Sequence, residues 1–148
     1  MTLTLFALAW IIAVICMTLF SALWSSVSGN QFREPTLLSK LMQNHPHINA
    51  SKQNTYVWGW LIHFILGIVF LVIYEILWQV TNVPRTFLWS LIFGSFLGLL
   101  GVLGWKILFK TSKPSSHFNY QQYYIHIFFA HIVFSVTALL VFQWLPWR

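Results

Sequence analysis

The chain has 148 residues, 58% hydrophobic, 19% aromatic and only 7% charged, with a formal net charge of +6 and one cysteine. A soluble domain carries about 25% charged residues, so this composition excludes a water-solvated globule and requires lipid as the solvent. The eight basic residues are scattered over short segments and form no patch, which excludes nucleic acid as a partner. Cys16, being alone, excludes an intrachain disulfide and a cysteine metal cluster and reads as a buried thiol.

Four segments reach the roughly 20 apolar residues that a spanning helix needs. They run from about 4 to 24, 57 to 79, 86 to 109 and 123 to 145, and Trp24, Trp58, Trp60, Trp78, Trp89, Trp105, Trp144 and Trp147 punctuate their ends. Indole prefers the half-wet headgroup zone, which supports the spans independently of hydropathy. The expected fold is an all-α, four-transmembrane-helix bundle forming a single membrane domain, the second helix lying against the third and fourth.

The first segment lacks any Lys or Arg from Met1 to Trp24. Its apolar stretch exceeds the usual signal-peptide core of about 7–15 residues, so a retained helix is expected. Ala9, Ala13 and Cys16 give it a short run of small residues. The loop 25–56 follows, with Arg33, Lys40 and Lys52. Within it, "REPTLLSKLMQNHPH" predicts a short amphipathic helix over about 35–43, an interfacial anchor or lid, or else a plain connector. His45 and His47 form a weak metal pair, and the sequon at Asn49 would face the cytoplasm.

The second segment, "WGWLIHFILGIVFLVIYEILWQV", carries His63, Gly67, Phe70, Tyr74 and Trp78 on one stripe. Glu75 stands about 120° from His63. A charge at mid-membrane costs about 2.5–3.5 kcal/mol on insertion scales, so Glu75 should be interior, protonated or paired. Arg85, across the turn "TNVPR", is its candidate partner. That pair is either structural or a proton or substrate group.

The third segment places Ser90, Gly94, Gly98 and Gly101 on one helix face, with Gly104 beside it. Small faces let helix backbones approach closely where lipid gives no hydrophobic drive, so this is a packing face. The fourth segment lines up Tyr124, Phe128, His131, Ser135 and Ala138. His126 lies about 140° from His131 and four residues into the helix, where it can snorkel to the interface.

Lys and Arg number six on the side of the two larger loops, with Lys106, Lys110 and Lys113 in the second, against Arg85 and Arg148 on the other. This bias predicts both termini outside the cytoplasm. His63 and His131 then lie roughly 9 Å and 12 Å deep from the same side, at 1.5 Å per residue. With Tyr74, Tyr124 and Ser135 they form a candidate buried polar site, able to share hydrogen bonds or to ligate haem or a metal ion. Phe70 and Phe128 are bulky enough to fill a haem slot. The stripe His63–Gly67–Tyr74–Trp78, the proline before the third helix and "YQQYYIHIFFAHIVF" resemble small four-helix proteins of the bacterial inner membrane. The resemblance implies that location and carries no activity, cofactor or site residue.

No phosphate loop, His-Glu-x-x-His, acidic cluster or Ser-His-Asp set with an available acid is visible, and Glu34 and Glu75 are expected on opposite sides. The leading expectation is a non-catalytic accessory or lipid-contacting membrane protein, with the bilayer and a second copy or a membrane complex as partners. A histidine-based redox or metal protein and a small oligomeric transporter using Glu75 are the alternatives.

Overall fold

The computed structural model describes residues 2–45, 51–112, 114 and 118–144. These are helical throughout: α1 (Leu3–Ser28), α2 (Glu34–Gln43), α3 (Lys52–Thr81), α4 (Phe87–Thr111) and α5 (Tyr120–Trp144). Four of them, all but α2, are long and apolar enough to cross a membrane. The chain is a multi-pass helical membrane bundle with α2 docked on it.

Helices α1, α3 and α5 run past their apolar stretches at ends where polar residues or glycine supply the caps. Thr2 caps α1, its hydroxyl accepting from the Leu5 amide, and Gly29 ends that helix at φ 69°. Ser51 caps α3 from the Asn54 amide, which starts the helix at Lys52 instead of Val57. Asn82, at φ 50°, closes α3 in the left-handed conformation that asparagine tolerates. Asn119 accepts from the Gln122 amide, starting α5 at Tyr120. His47, Asn49, Lys113, Trp147 and Arg148, named above from the sequence, lie outside the described residues.

Helix α5 is the hub, packing extensively on both α4 and α1. The small face of α4 meets α5 directly. A Cβ on Gly94 would stand 2.9 Å from the Ile132 Cα, one on Gly98 2.8 Å from the Phe128 carbonyl, and one on Gly101 would strike the His131 ring. Such approaches supply dispersion contacts that side chains on both helices would prevent. Ala9 and Ala13 are fully buried, whereas Cys16 is half-buried and not the enclosed thiol expected.

The expectation that the second span lies against the third and fourth needs correction. Helix α3 packs chiefly on α2, with lighter contacts to α1, α4 and α5. The reason is that α4 has already used its small face on α5. Helix α3 therefore hangs from a few specific points. Trp10 donates to the Phe64 carbonyl (2.8 Å), Gly67 fits against Val14 and Trp10, and Trp78 meets Phe93 edge-on at 4.7 Å.

Helix α2 is neither a loose connector nor a surface float. Leu37, Leu38 and Leu41 are buried, and Gly59 of α3 seats the Pro35 carbonyl and Ser39. Ser39 and Gln43 also donate to the Thr55 hydroxyl, at 3.3 and 2.8 Å. The end of the bundle that carries α2 is called the loop side below, and the end with the α3–α4 turn the hairpin side.

Candidate functional site

The polar groups inside the bundle fall into four separate places. At the hairpin side, Arg85 grips Glu75 with both nitrogens, Nη1 to Oε1 at 3.0 Å and Nη2 to Oε2 at 2.6 Å. The Glu75 side chain is 7% exposed and that of Arg85 38%. The guanidinium lies over Trp78 and Phe142, at 5.6 and 5.4 Å from the ring centroids. A planar fork on a carboxylate neutralises the charge while keeping Arg85 near the interface.

Next to it, Tyr74, Ser90 and Ser135 form a closed chain. Ser135 donates to the Ser90 carbonyl (2.7 Å). The Ser90 hydroxyl therefore donates to Ser135 Oγ (3.2 Å), and the Tyr74 hydroxyl to Ser90 Oγ (3.0 Å). Every hydrogen is used, so this is a clasp joining α3, α4 and α5. Tyr74 and Ser135 thus part company with the histidines. Tyr124 does so too, lying half-buried beside Lys106, whose Nζ is 5.3 Å from the Tyr124 ring centroid.

The third place overturns two expectations. His126 does not snorkel: it is fully buried, stacked on Phe20 and Phe32 at 6.0 and 5.7 Å. The segment leading into α2 folds back over it. An acid is also available to a serine and a histidine after all. Ser21 Oγ lies 2.7 Å from Glu34 Oε1 and 2.8 Å from His126 Nε2, and Glu34 is 2% exposed. This is not a nucleophilic triad. A catalytic histidine uses its two nitrogens on different partners, whereas His126 turns Nε2 toward both Ser21 and Glu34 (3.7 Å), and its Nδ1 has no partner. The trio ties α2 to α1 and α5. Burial pushes the Glu34 carboxyl up to about 7.

The fourth place is a cavity of about 600 Å³ to which all five helices contribute. Its walls are mostly apolar: Met17, Leu38, Leu41, Phe70, Leu100 and Phe134 among them. His63 and His131 both line it, 6% and 4% exposed. Thr18, His63, Gly101 and His131 each stand ten or eleven residues from the loop-side ends of their helices, roughly 15–17 Å along the axes. Phe70 packs on His131 with centroids 4.5 Å apart, and Phe128 is held at Gly98. Gly104 also faces this space, and a Cβ there would meet nothing within 4 Å.

The hydrogen bonds around the two imidazoles define their tautomers. Thr18 Oγ1 gives its hydrogen to the Val14 carbonyl (2.7 Å), so it accepts from His63 Nε2–H (2.9 Å). His131 Nδ1–H donates to the Ile127 carbonyl (2.8 Å). Ligation by these two rings alone would be a sparse metal site. Among the described residues, no group of three or more His, Cys, Asp or Glu side chains is placed to hold a metal ion.

Sequence reasoning passed over Ser21 and Thr18, placed Glu34 only as lying opposite Glu75, and set Gly104 beside the packing face. The stripe Val14–Thr18–Ser21 on α1 was the available signal, since it brings two hydroxyls to one face of an otherwise apolar helix. No family model, curated protein or solved structure matches the chain.

Proposed function

We propose that this is a non-catalytic, lipid-contacting protein of the bacterial inner membrane that holds a lipid-phase molecule in the cavity between its helices. The cavity carries the reading. Its volume of about 600 Å³ falls within the roughly 300–1,000 Å³ of ordinary ligand sites. Its walls are apolar apart from a few polar side chains, and only lipid-phase molecules match such a lining. A packing defect is a poor account of it, because interiors leave few voids larger than a water molecule. Opposing packing faces in the same bundle approach to backbone contact.

In this reading the loop side faces the cytoplasm, since Arg33, Lys40, Lys52, Lys106 and Lys110 gather there and Arg85 stands opposite. Helix α2 then covers the cavity from the cytoplasmic side with Leu38, Leu41 and Met42. The transporter alternative loses its working group, because Glu75 is neutralised by Arg85 away from the cavity.

The test is extraction of purified protein with organic solvent and mass spectrometry of what is released. Wild type should carry one lipid class enriched several-fold over the surrounding membrane extract. Gly104→Leu, whose Cβ meets nothing within 4 Å and which adds bulk to the cavity lining, should lose that enrichment while remaining monodisperse. Equal profiles for wild type, Gly104→Leu and bulk membrane would end the proposal.

A further inference from the structure

The two imidazoles specify the chemistry of the occupant. His63 has given its N–H to Thr18 and His131 its N–H to Ile127, so His63 Nδ1 and His131 Nε2 carry lone pairs. Neither atom has a hydrogen-bond partner among the described residues, and neither is among the buried unpartnered atoms enclosed by protein. Both residues are more than nine-tenths buried, so their remaining accessible surface opens into the cavity they line.

The neighbouring hydroxyls compete for neither nitrogen. Thr111 donates to the Leu108 carbonyl and Ser112 to the Leu41 carbonyl, each at 2.8 Å. At the two imidazoles the cavity therefore offers lone pairs, while the other groups able to donate, Glu34, His45 and Trp105, line it nearer the loop side. We infer that it takes a hydroxyl-bearing lipophile, a molecule whose head donates a hydrogen bond to His63 Nδ1 or His131 Nε2 while its tail lies along the apolar walls. A phenol or hydroquinone head and an aliphatic alcohol share this chemistry. A ketone, ester or ether head would set lone pair against lone pair. Sites built to bond a hydroxyl reject analogues lacking it far more strongly than apolar pockets reject a methylene.

This inference rests on the cavity being a ligand site, and the experiment keeps the two failures apart. Wild-type protein in nanodiscs is titrated with decyl-hydroquinone, its dimethyl ether, farnesol and farnesyl methyl ether, following indole fluorescence, since Trp105 lines the cavity. At least one hydroxyl probe should bind, tenfold or more tighter than its ether, and Gly104→Leu should abolish that binding. Preference for the hydroquinone or for farnesol identifies the source of the hydroxyl, and either supports the assignment. In at least one of His131→Phe and His63→Phe the hydroxyl-to-ether ratio should fall toward one, which names the accepting ring; a ratio unchanged in both would overturn the donor assignment. Because that ratio is internal to each variant, a general loss of stability cannot mimic it. Ethers binding as tightly as their parents, with Gly104→Leu blocking both, would overturn the donor assignment and leave the cavity a ligand site. No binding of any probe overturns the assignment too, and joined to an unenriched lipid extract it overturns the ligand site itself.

Discussion

Glu34 is the residue whose replacement tests the packing most sharply. It is one of only two acids in the chain, and it is enclosed at the junction of α1, α2 and α5. Ser21 and His126 face it, Arg33 adjoins it, and Glu34 Oε2 has no partner. Desolvation by burial raises its carboxyl from 4.5 to about 7, against the lowering effects of Ser21, its own backbone and Arg33. A raised carboxyl binds its proton more tightly in the folded state. Stability is therefore unaffected below about pH 4.5, falls as pH rises through the window from 4.5 to 7, and stays reduced above it. At about 1.4 kcal/mol per unit, the loss above pH 7 amounts to about 3 kcal/mol. Glu34→Gln keeps the acceptor for Ser21 and removes the titration. The assay is SDS-driven unfolding in dodecyl maltoside at pH 5, 6.5 and 8, read as the difference between the two proteins. The buried histidines are common to both, so their titration largely cancels. The variant should gain on wild type by about 2.5 kcal/mol between pH 5 and pH 8, since part of the loss is already present at pH 5. A difference that stays constant with pH would refute the burial of an ionisable Glu34 at this junction.

Removing one member of the hairpin-side pair should hurt more than removing both. Arg85→Ala leaves a carboxylate at 7% exposure unpaired and should cost about 1–3 kcal/mol, which the double variant with Glu75→Gln largely recovers; additive losses in SDS unfolding would count against a coupled pair. Gly94→Leu and Gly98→Leu would drive side chains into the α5 backbone and should yield little monodisperse protein, whereas Gly104→Leu should match wild type on size-exclusion chromatography. On a Cys16→Ala background, cysteines at Lys40 and Lys110 should resist labelling from outside intact cells and one at Arg85 should accept it; outside labelling of Lys40 would reverse the proposed orientation.

The number of spans and the class of fold were legible because lipid imposes a length and composition that few sequences meet by accident. Helix ends were less so, since caps such as Ser51 and Asn119 extend the helices beyond the apolar stretch that hydropathy detects. Helix adjacency was less legible still. The glycine face of α4 announced a close contact, but glycine spacing carries no address. Its partner proved to be α5, whose His131 ring, Phe128 backbone and Ile132 backbone fill the groove.

The interior site was half visible for a physical reason. Equal depth can be counted along a sequence, so His63 and His131 were singled out together. What each ring is bonded to depends on rotation about the helix axis and on the neighbour met there. Those facts separate Tyr74 and Ser135 into a clasp, turn Tyr124 toward Lys106, and hand His63 to Thr18. Glu34 was hidden differently. A carboxylate in a loop reads as solvated, and only the fold of α2 onto Gly59 carries it inward against Ser21. The two acids thus meet the apolar interior in opposite ways. Glu75 is gripped by an arginine at the hairpin side, and Glu34 is enclosed between Ser21 and His126 with its Oε2 unpartnered. The lone-pair nitrogens of His63 and His131 belong to the same cavity that Glu34 lines, and α2 covers its loop side with Leu38, Leu41 and Met42. A chain with so few charged residues places its chemistry where neutral hydrogen bonds decide what fits.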